Sequence, residues 1–67
     1  MTLKEAKTLE QGDEVQDLIT GELTNVIKSI LSLDGKILTF ALVNDYNIYS
    51  FLTHKEIKLH KKAYDKR

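Results

Sequence analysis

Residues 34–60 constrain the fold more than any other part of the chain, because short apolar segments alternate there with turn signals. In order, the segment reads DG, KILTFALV, ND, YNIYSFL, THKE and IKL. Short runs rich in branched and aromatic side chains, bounded by turn residues, are typical of β-strands. We therefore predict a strand over residues 36–43, a second over residues 47–52, a turn at residues 53–56 and a short last strand that includes Ile57 and Leu59.

The first third of the chain predicts one short helix and one strand. Thr2 and Glu5 have the spacing of a capping box, which favours a helix start. A strand is expected over residues 13–19, with Val15 and Ile19 on one face.

Residues 23–33 fit either a strand or a helix, and this choice decides the fold class. As a strand, the segment would place Val26 and Ile30 on one face. The downstream strands need a pairing partner, so we favour the strand and keep the helix as the alternative. The helical interpretation rests on the spacing of five apolar residues: Leu23, Val26, Ile27, Ile30 and Leu31.

The predicted fold is mostly β: a single domain over residues 1–67, built as a small five-stranded barrel with a short N-terminal helix. The barrel would span about residues 11–60, and residues 61–67 would form a frayed basic tail. The alternative is an α+β fold in which residues 23–33 are helical.

The turn and strand pattern resembles small SH3-like β-barrels of the Tudor and KOW type. The segments that carry the resemblance are Gly12-Asp13-Glu14-Val15, Thr20-Gly21-Glu22, residues 26–30, Asp34-Gly35-Lys36 and residues 49–59. In that architecture a turn stands directly before the last strand. Many small phage and mobile-element proteins are similar in this respect. The resemblance implies binding of proteins, peptides or nucleic acid rather than catalysis.

Charge is balanced overall but unevenly distributed. The chain has ten basic and ten acidic residues; residues 1–26 carry a balance of −4 and residues 55–67 a balance of +4. No cysteine is present, no segment has the ~20 apolar residues of a membrane span, and the first residues do not have the pattern of a secretory signal. We therefore expect a cytoplasmic protein.

The residues that could carry out chemistry are few. His54 and His60 make a poor metal pair, so no metal site or cofactor is predicted. The acidic residues Asp13, Glu14 and Asp17 are interpreted as a solvated strand end, because no apolar sequence surrounds them to raise a carboxyl pKa. The chain is therefore not expected to be an enzyme.

A candidate binding surface combines aromatic and basic residues. The aromatic side chains fit two interpretations: as core, they would fill the barrel or cover its second face, and as a platform, they would receive a peptide or stack bases. The members of this surface are Tyr46, Tyr49, Phe51, Lys36, Lys55, Lys58, Lys61 and Lys62.

The strand over residues 36–43 is apolar on both faces, and the second face needs a cover. The N-terminal helix, through Leu3, Ala6 and Leu9, is one candidate for that cover. If it does not serve, a protein partner or a second copy of the chain is expected there. We therefore predict a protein-binding or self-associating module. The alternatives are a nucleic-acid accessory module that uses the basic C-terminal segment, and a small inhibitor that docks on a larger host enzyme.

Overall fold

Five antiparallel strands form one sheet, and one short α-helix precedes them. The computed structural model of the chain describes residues 1–63. The elements are α1 (Leu3–Ala6), β1 (Glu14–Asp17), β2 (Leu23–Leu31), β3 (Leu38–Val43), β4 (Tyr49–Thr53), a 3₁₀ turn (His54–Glu56) and β5 (Ile57–Lys61). The hydrogen-bonded order is β4-β3-β2-β1-β5, so β4 and β5 are the two edge strands.

The mostly β fold class is confirmed, the strand predicted over residues 23–33 is confirmed over Leu23–Leu31, and the helical alternative for that segment is wrong. β2 pairs with both β1 and β3, and these pairings give its backbone N–H and C=O groups hydrogen-bond partners along most of its length. Helical spacing of apolar residues was also present in β2, but β-branched side chains and two neighbouring strands outweigh it. The turn before the last strand is confirmed, and His54 lies in it.

One bulge in β2 changes which side chains face the core. The register shifts between Val26 and Lys28, where Ile27 is the extra residue. Val26 is buried, whereas Ile30 is 56% exposed on the other face. The prediction that Val26 and Ile30 share a face is therefore wrong, because the bulge interrupts the alternation between them.

The first strand is shorter than predicted. β1 ends at Asp17, whose carboxylate accepts hydrogen bonds from the backbone N–H of Ile19 at 2.7 Å and of Thr20 at 3.3 Å. A side chain that bonds its own downstream backbone closes a turn. Ile19 consequently lies beyond the strand and is exposed, so its predicted place beside Val15 is wrong.

The core lies on one side of the sheet, and α1 packs on that same side. The capping box predicted for Thr2 and Glu5 is confirmed, and α1 ends after a single turn. The buried cluster consists of Ala6, Val15, Val26, Leu38, Phe40, Leu42 and Ile57, with Met1, Leu3, Leu9 and Leu52 packed against it. Among the described residues, no helix has the length and apolar character needed to cross a membrane.

His54 completes the ladder at the end of β3. Its imidazole is buried, and its Nδ1 accepts a hydrogen bond from the Leu38 N–H at 3.3 Å. The 3₁₀ turn diverts the backbone there, so the side chain supplies an acceptor where the next strand carbonyl would otherwise stand. Without it, a buried N–H would lose its partner.

We expect His54→Leu to lower the free energy of unfolding by about 1–2 kcal/mol, because it leaves the Leu38 N–H buried and unpaired. His54→Asn is the matched control, since its Oδ1 can accept a hydrogen bond from a position close to that of Nδ1. Urea unfolding of the two variants and the parent chain measures the difference. Equal stability of the Leu variant and the parent would contradict this role.

Candidate functional site

The outer face of the sheet, which points away from the buried core, carries the candidate site. Strand pairing aligns its side chains in three rows across β2, β3 and β4. The rows are Asn25–Val43–Tyr49, Lys28–Ala41–Phe51 and Ile30–Thr39–Thr53. Directly paired residues point to the same side of a sheet, so these rows form one continuous surface.

An apolar patch occupies most of these rows. Tyr49 is 65% exposed and Phe51 is 68% exposed, while Ala41 and Val43 are more shielded between the neighbouring strands. We call Ile30, Ala41, Val43, Tyr49 and Phe51 the outer apolar patch. Lys28, opposite Ala41, is the one charged residue in the three rows.

The N-terminal helix does not cover the patch. The core face of the sheet holds Ala6, Leu3 and Leu9, so the predicted cover by these residues is wrong. The interpretation of Tyr49 and Phe51 as core is also wrong, because both lie on an edge strand with most of their surface in solvent. Alternation along β4 predicts that Tyr49 and Phe51 share a face of the sheet, but it does not predict whether that face is buried or exposed.

The predicted basic residues are spread over several elements. Lys36 lies in the turn before β3, and Lys55 lies in the 3₁₀ turn after β4. β5 carries Lys58 and Lys61, so the hydrogen-bonded order puts three strands between them and the aromatic residues of β4. Tyr46 lies in the turn before β4, where its N–H donates to Asn44 Oδ1 at 2.9 Å.

Lys62 belongs to a different arrangement, a buried ion pair with Asp13. Its Nζ lies 2.7 Å from Asp13 Oδ2, and the Ala63 N–H donates to Oδ1 at 2.8 Å. The Glu10 N–H also donates to Oδ2, at 2.8 Å. The predicted frayed tail is therefore wrong for Lys62 and Ala63, and Lys61 belongs to β5; residues 64–67 lie outside the described residues.

The pKa of Asp13 reflects these contacts. Burial alone would raise the pKa, but the hydrogen bonds from Lys62, Ala63 and Glu10, together with the Lys62 charge, lower it below its ordinary value. The interpretation of Asp13 as a solvated strand end is wrong, since its side chain is fully buried. A carboxylate held ionised in this way is a poor general acid. The contacts of Asp13 with Lys62, Ala63 and Glu10 instead connect the start of β1 to the end of β5, and we call this group the Asp13 latch.

A cleft lies beside β5, apart from the outer apolar patch. It is an open cleft of about 340 Å³ lined by Met1, Lys4, Glu5, Thr8, Leu9 and Leu59. Its surface is mainly apolar, and none of the buried polar side chains within residues 1–63 lines it to orient a ligand. Within residues 1–63, no group of three or more His, Cys, Asp or Glu side chains is placed to hold a metal ion.

No family model matches the chain, and comparison with curated proteins and with solved structures finds no significant match either. The resemblance to SH3-like barrels therefore remains a prediction.

Proposed function

We propose that the chain is a small SH3-like barrel that acts as a non-enzymatic protein-binding module, with the outer apolar patch as its contact surface. The barrel assignment is supported by the 3₁₀ turn directly before the last strand and by the pairing of that strand with β1. The cytoplasm is the proposed compartment, in keeping with the absence of cysteine.

The observation that carries the proposal is an exposed aromatic pair beside aliphatic side chains on the outer face of the sheet. Tyr49 and Phe51 project from β4 on the side that neither α1 nor another described element covers. Exposed aromatic residues grouped with aliphatic neighbours are typical of protein contact surfaces.

Charge placement favours a protein over a nucleic acid as the partner. Lys28 is the single charge among the rows of the outer face, and the Lys62 ammonium is bound to Asp13. Affinity for a nucleic acid depends on many phosphate contacts, and this face offers few. An inhibitor that docks on a larger enzyme is a special case of the same proposal, with the enzyme as the protein bound.

The test compares partners captured by the parent chain with those captured by variants of the patch. Ile30→Ser and Phe51→Ser remove apolar surface from two different strands, and Leu33→Ser is the matched control because Leu33 is a fully exposed apolar residue in the turn after β2. We expect a purified partner to bind both patch variants at least about tenfold more weakly and the control unchanged.

Two results would count against a protein-binding role for the outer apolar patch. A partner that binds the patch variants as tightly as the parent would contradict the proposed surface. Saturable, salt-dependent binding of DNA or RNA that is lost after neutralising Lys58 and Lys61 would favour the nucleic-acid alternative.

A further inference from the structure

The two edges of the sheet differ in how far they are protected. The amine of Met1 donates to the carbonyl oxygen of Ile57, the first residue of β5, at 3.2 Å, and to that of His54 in the preceding 3₁₀ turn at 3.1 Å. Lys58, His60 and Lys61 place basic side chains along the same strand. Covered backbone and charged side chains are the usual means by which an edge strand is kept from pairing with another chain.

β4 has no charged side chain, and only its last residue, Thr53, has an outward backbone group that is bonded within residues 1–63. Its sequence, YSFLT, contains no charged residue, no proline and no glycine, and its pairing with β3 has no bulge. In the described part of the chain it pairs with β3 alone. An exposed, regular and apolar edge of this kind is a template for a further strand.

The hydrogen-bonding pattern identifies which backbone groups of β4 face outward. The Asn44 N–H donates to the Ile48 carbonyl, which makes residues 44 and 48 a hydrogen-bonded pair. Antiparallel ladders alternate, so Ser50 and Leu52 bond toward β3 while Tyr49, Phe51 and Thr53 present their backbone groups to the free edge. The Thr53 N–H is already bonded to Glu56 Oε1 at 2.8 Å, which leaves Tyr49 and Phe51 with both groups available.

We propose that β4 pairs with β4 of a second copy of this chain, antiparallel and in the register centred on Ser50. In this register Tyr49 lies opposite Phe51 of the second copy, and four backbone hydrogen bonds form from the two residues of each chain that have free groups. A register centred on Phe51 would require the Thr53 N–H, and one centred on Tyr49 would require Asn47, whose φ of 61° is not that of a strand.

The side chains also match in the Ser50 register. The aromatic residues of both copies meet on the outer face, and Ile48 lies opposite Leu52 on the other face. The serine side chains meet at the two-fold axis, where paired Cα atoms come within about 4.5 Å and small residues fit.

Charge complementarity distinguishes a second copy from other occupants. Antiparallel pairing about Ser50 brings the turn before β4, which contains Asp45, beside the 3₁₀ turn of the second copy, which contains Lys55, and this contact occurs twice by symmetry. Both side chains are exposed, and neither has an ion pair with the described residues. The pairing would join two outer apolar patches into one larger surface, so the inference rests on the same patch as the proposed function.

Charge-reversal variants test this interface. We expect the parent chain to form a dimer whose fraction rises with concentration in sedimentation experiments from micromolar to millimolar protein. Asp45→Lys and Lys55→Asp each place like charges on the two neighbouring turns and should weaken self-association roughly tenfold. A mixture of these two variants restores both opposite-charge contacts and should form a heterodimer, as should the double variant with itself.

Glu10→Lys and Lys4→Asp are the controls, because they change the net charge equally at exposed positions outside β4 and its two flanking turns. A mixture of the two controls should associate no more than the parent does. Protection of the Tyr49 and Phe51 amides from hydrogen exchange should also rise with protein concentration in the parent.

Three results would overturn the inference: a monomer at millimolar concentration, a dimer that is indifferent to both charge reversals, or larger assemblies formed through β5. None of the charge variants alters the outer apolar patch. Loss of dimerisation with retained partner binding, or the reverse, therefore separates failure of this inference from failure of the proposed function.

Discussion

Asp13→Ala is expected to lower the free energy of unfolding by about 3 kcal/mol, because it leaves the Lys62 ammonium in a largely buried site without its carboxylate. The substitution also removes the acceptor of the Glu10 and Ala63 N–H groups. A domain of this length is stabilised by only about 3–10 kcal/mol, so the loss would leave a substantial unfolded population.

The same latch gives stability a defined dependence on pH. The pKa of Asp13 is lower in the folded chain than its ordinary value of 3.8. The unfolded chain therefore binds the proton more tightly, and the contribution of Asp13 is complete above the unfolded pKa and is lost as the pH falls through the folded pKa. Below about pH 4 we expect the parent to lose stability more steeply than Asp13→Asn.

Urea unfolding at several pH values measures both effects. Glu14→Ala is the matched control: Glu14 is the next residue, and its Oε1 lies 3.6 Å from His60 Nε2 in a more exposed pair. That pair is expected to contribute less than about 1 kcal/mol. Equal losses of unfolding free energy in Asp13→Ala and Glu14→Ala would contradict the role of the Asp13 latch. The same conclusion would follow if the unfolding free energies of the parent and Asp13→Asn changed in parallel with pH.

The Asp13 latch also shows where sequence-based prediction reaches its limit. Local signals identified the capping box of α1 and the turn before β5, because each depends on residues within a few positions. The partner of Asp13 lies 49 residues away. No local pattern marks an aspartate as buried when the cation and the backbone N–H that satisfy it come from the far end of the chain.

The candidate surface was predictable in part, for similar reasons. Alternation along β3 identified a second apolar face, and the aromatic residues of β4 were recognised as possible contacts. Which face α1 covers depends on tertiary packing, and the bulge at Ile27 moved Ile30 into the outer apolar patch without any proline or glycine to mark it. The separation of the β5 lysines from the aromatic residues of β4 follows from strand order, which alternation alone does not define.

Phe40→Ala is expected to cost about 3–5 kcal/mol and to unfold much of the protein at room temperature. Phe40 is fully buried at the centre of the core cluster, on the inner face of β3. Removal of its ring leaves a cavity that so small a domain has few neighbouring side chains to fill. Circular dichroism during urea unfolding measures the loss, and a variant as stable as the parent would contradict the assigned core.

Phe51→Ala is the matched comparison, because the same substitution is made on the neighbouring strand but on the opposite face. We expect it to cost less than about 1 kcal/mol when measured at protein concentrations low enough to keep the chain monomeric. The proposal that the outer apolar patch is a contact surface requires that Phe51→Ala lower the free energy of unfolding much less than Phe40→Ala does. If Phe51→Ala proved as costly as Phe40→Ala, the patch would be buried in the folded monomer and no surface would remain for a partner. If the cost is small, the aromatic ring contributes little to the monomer, and its effect should be measurable in binding.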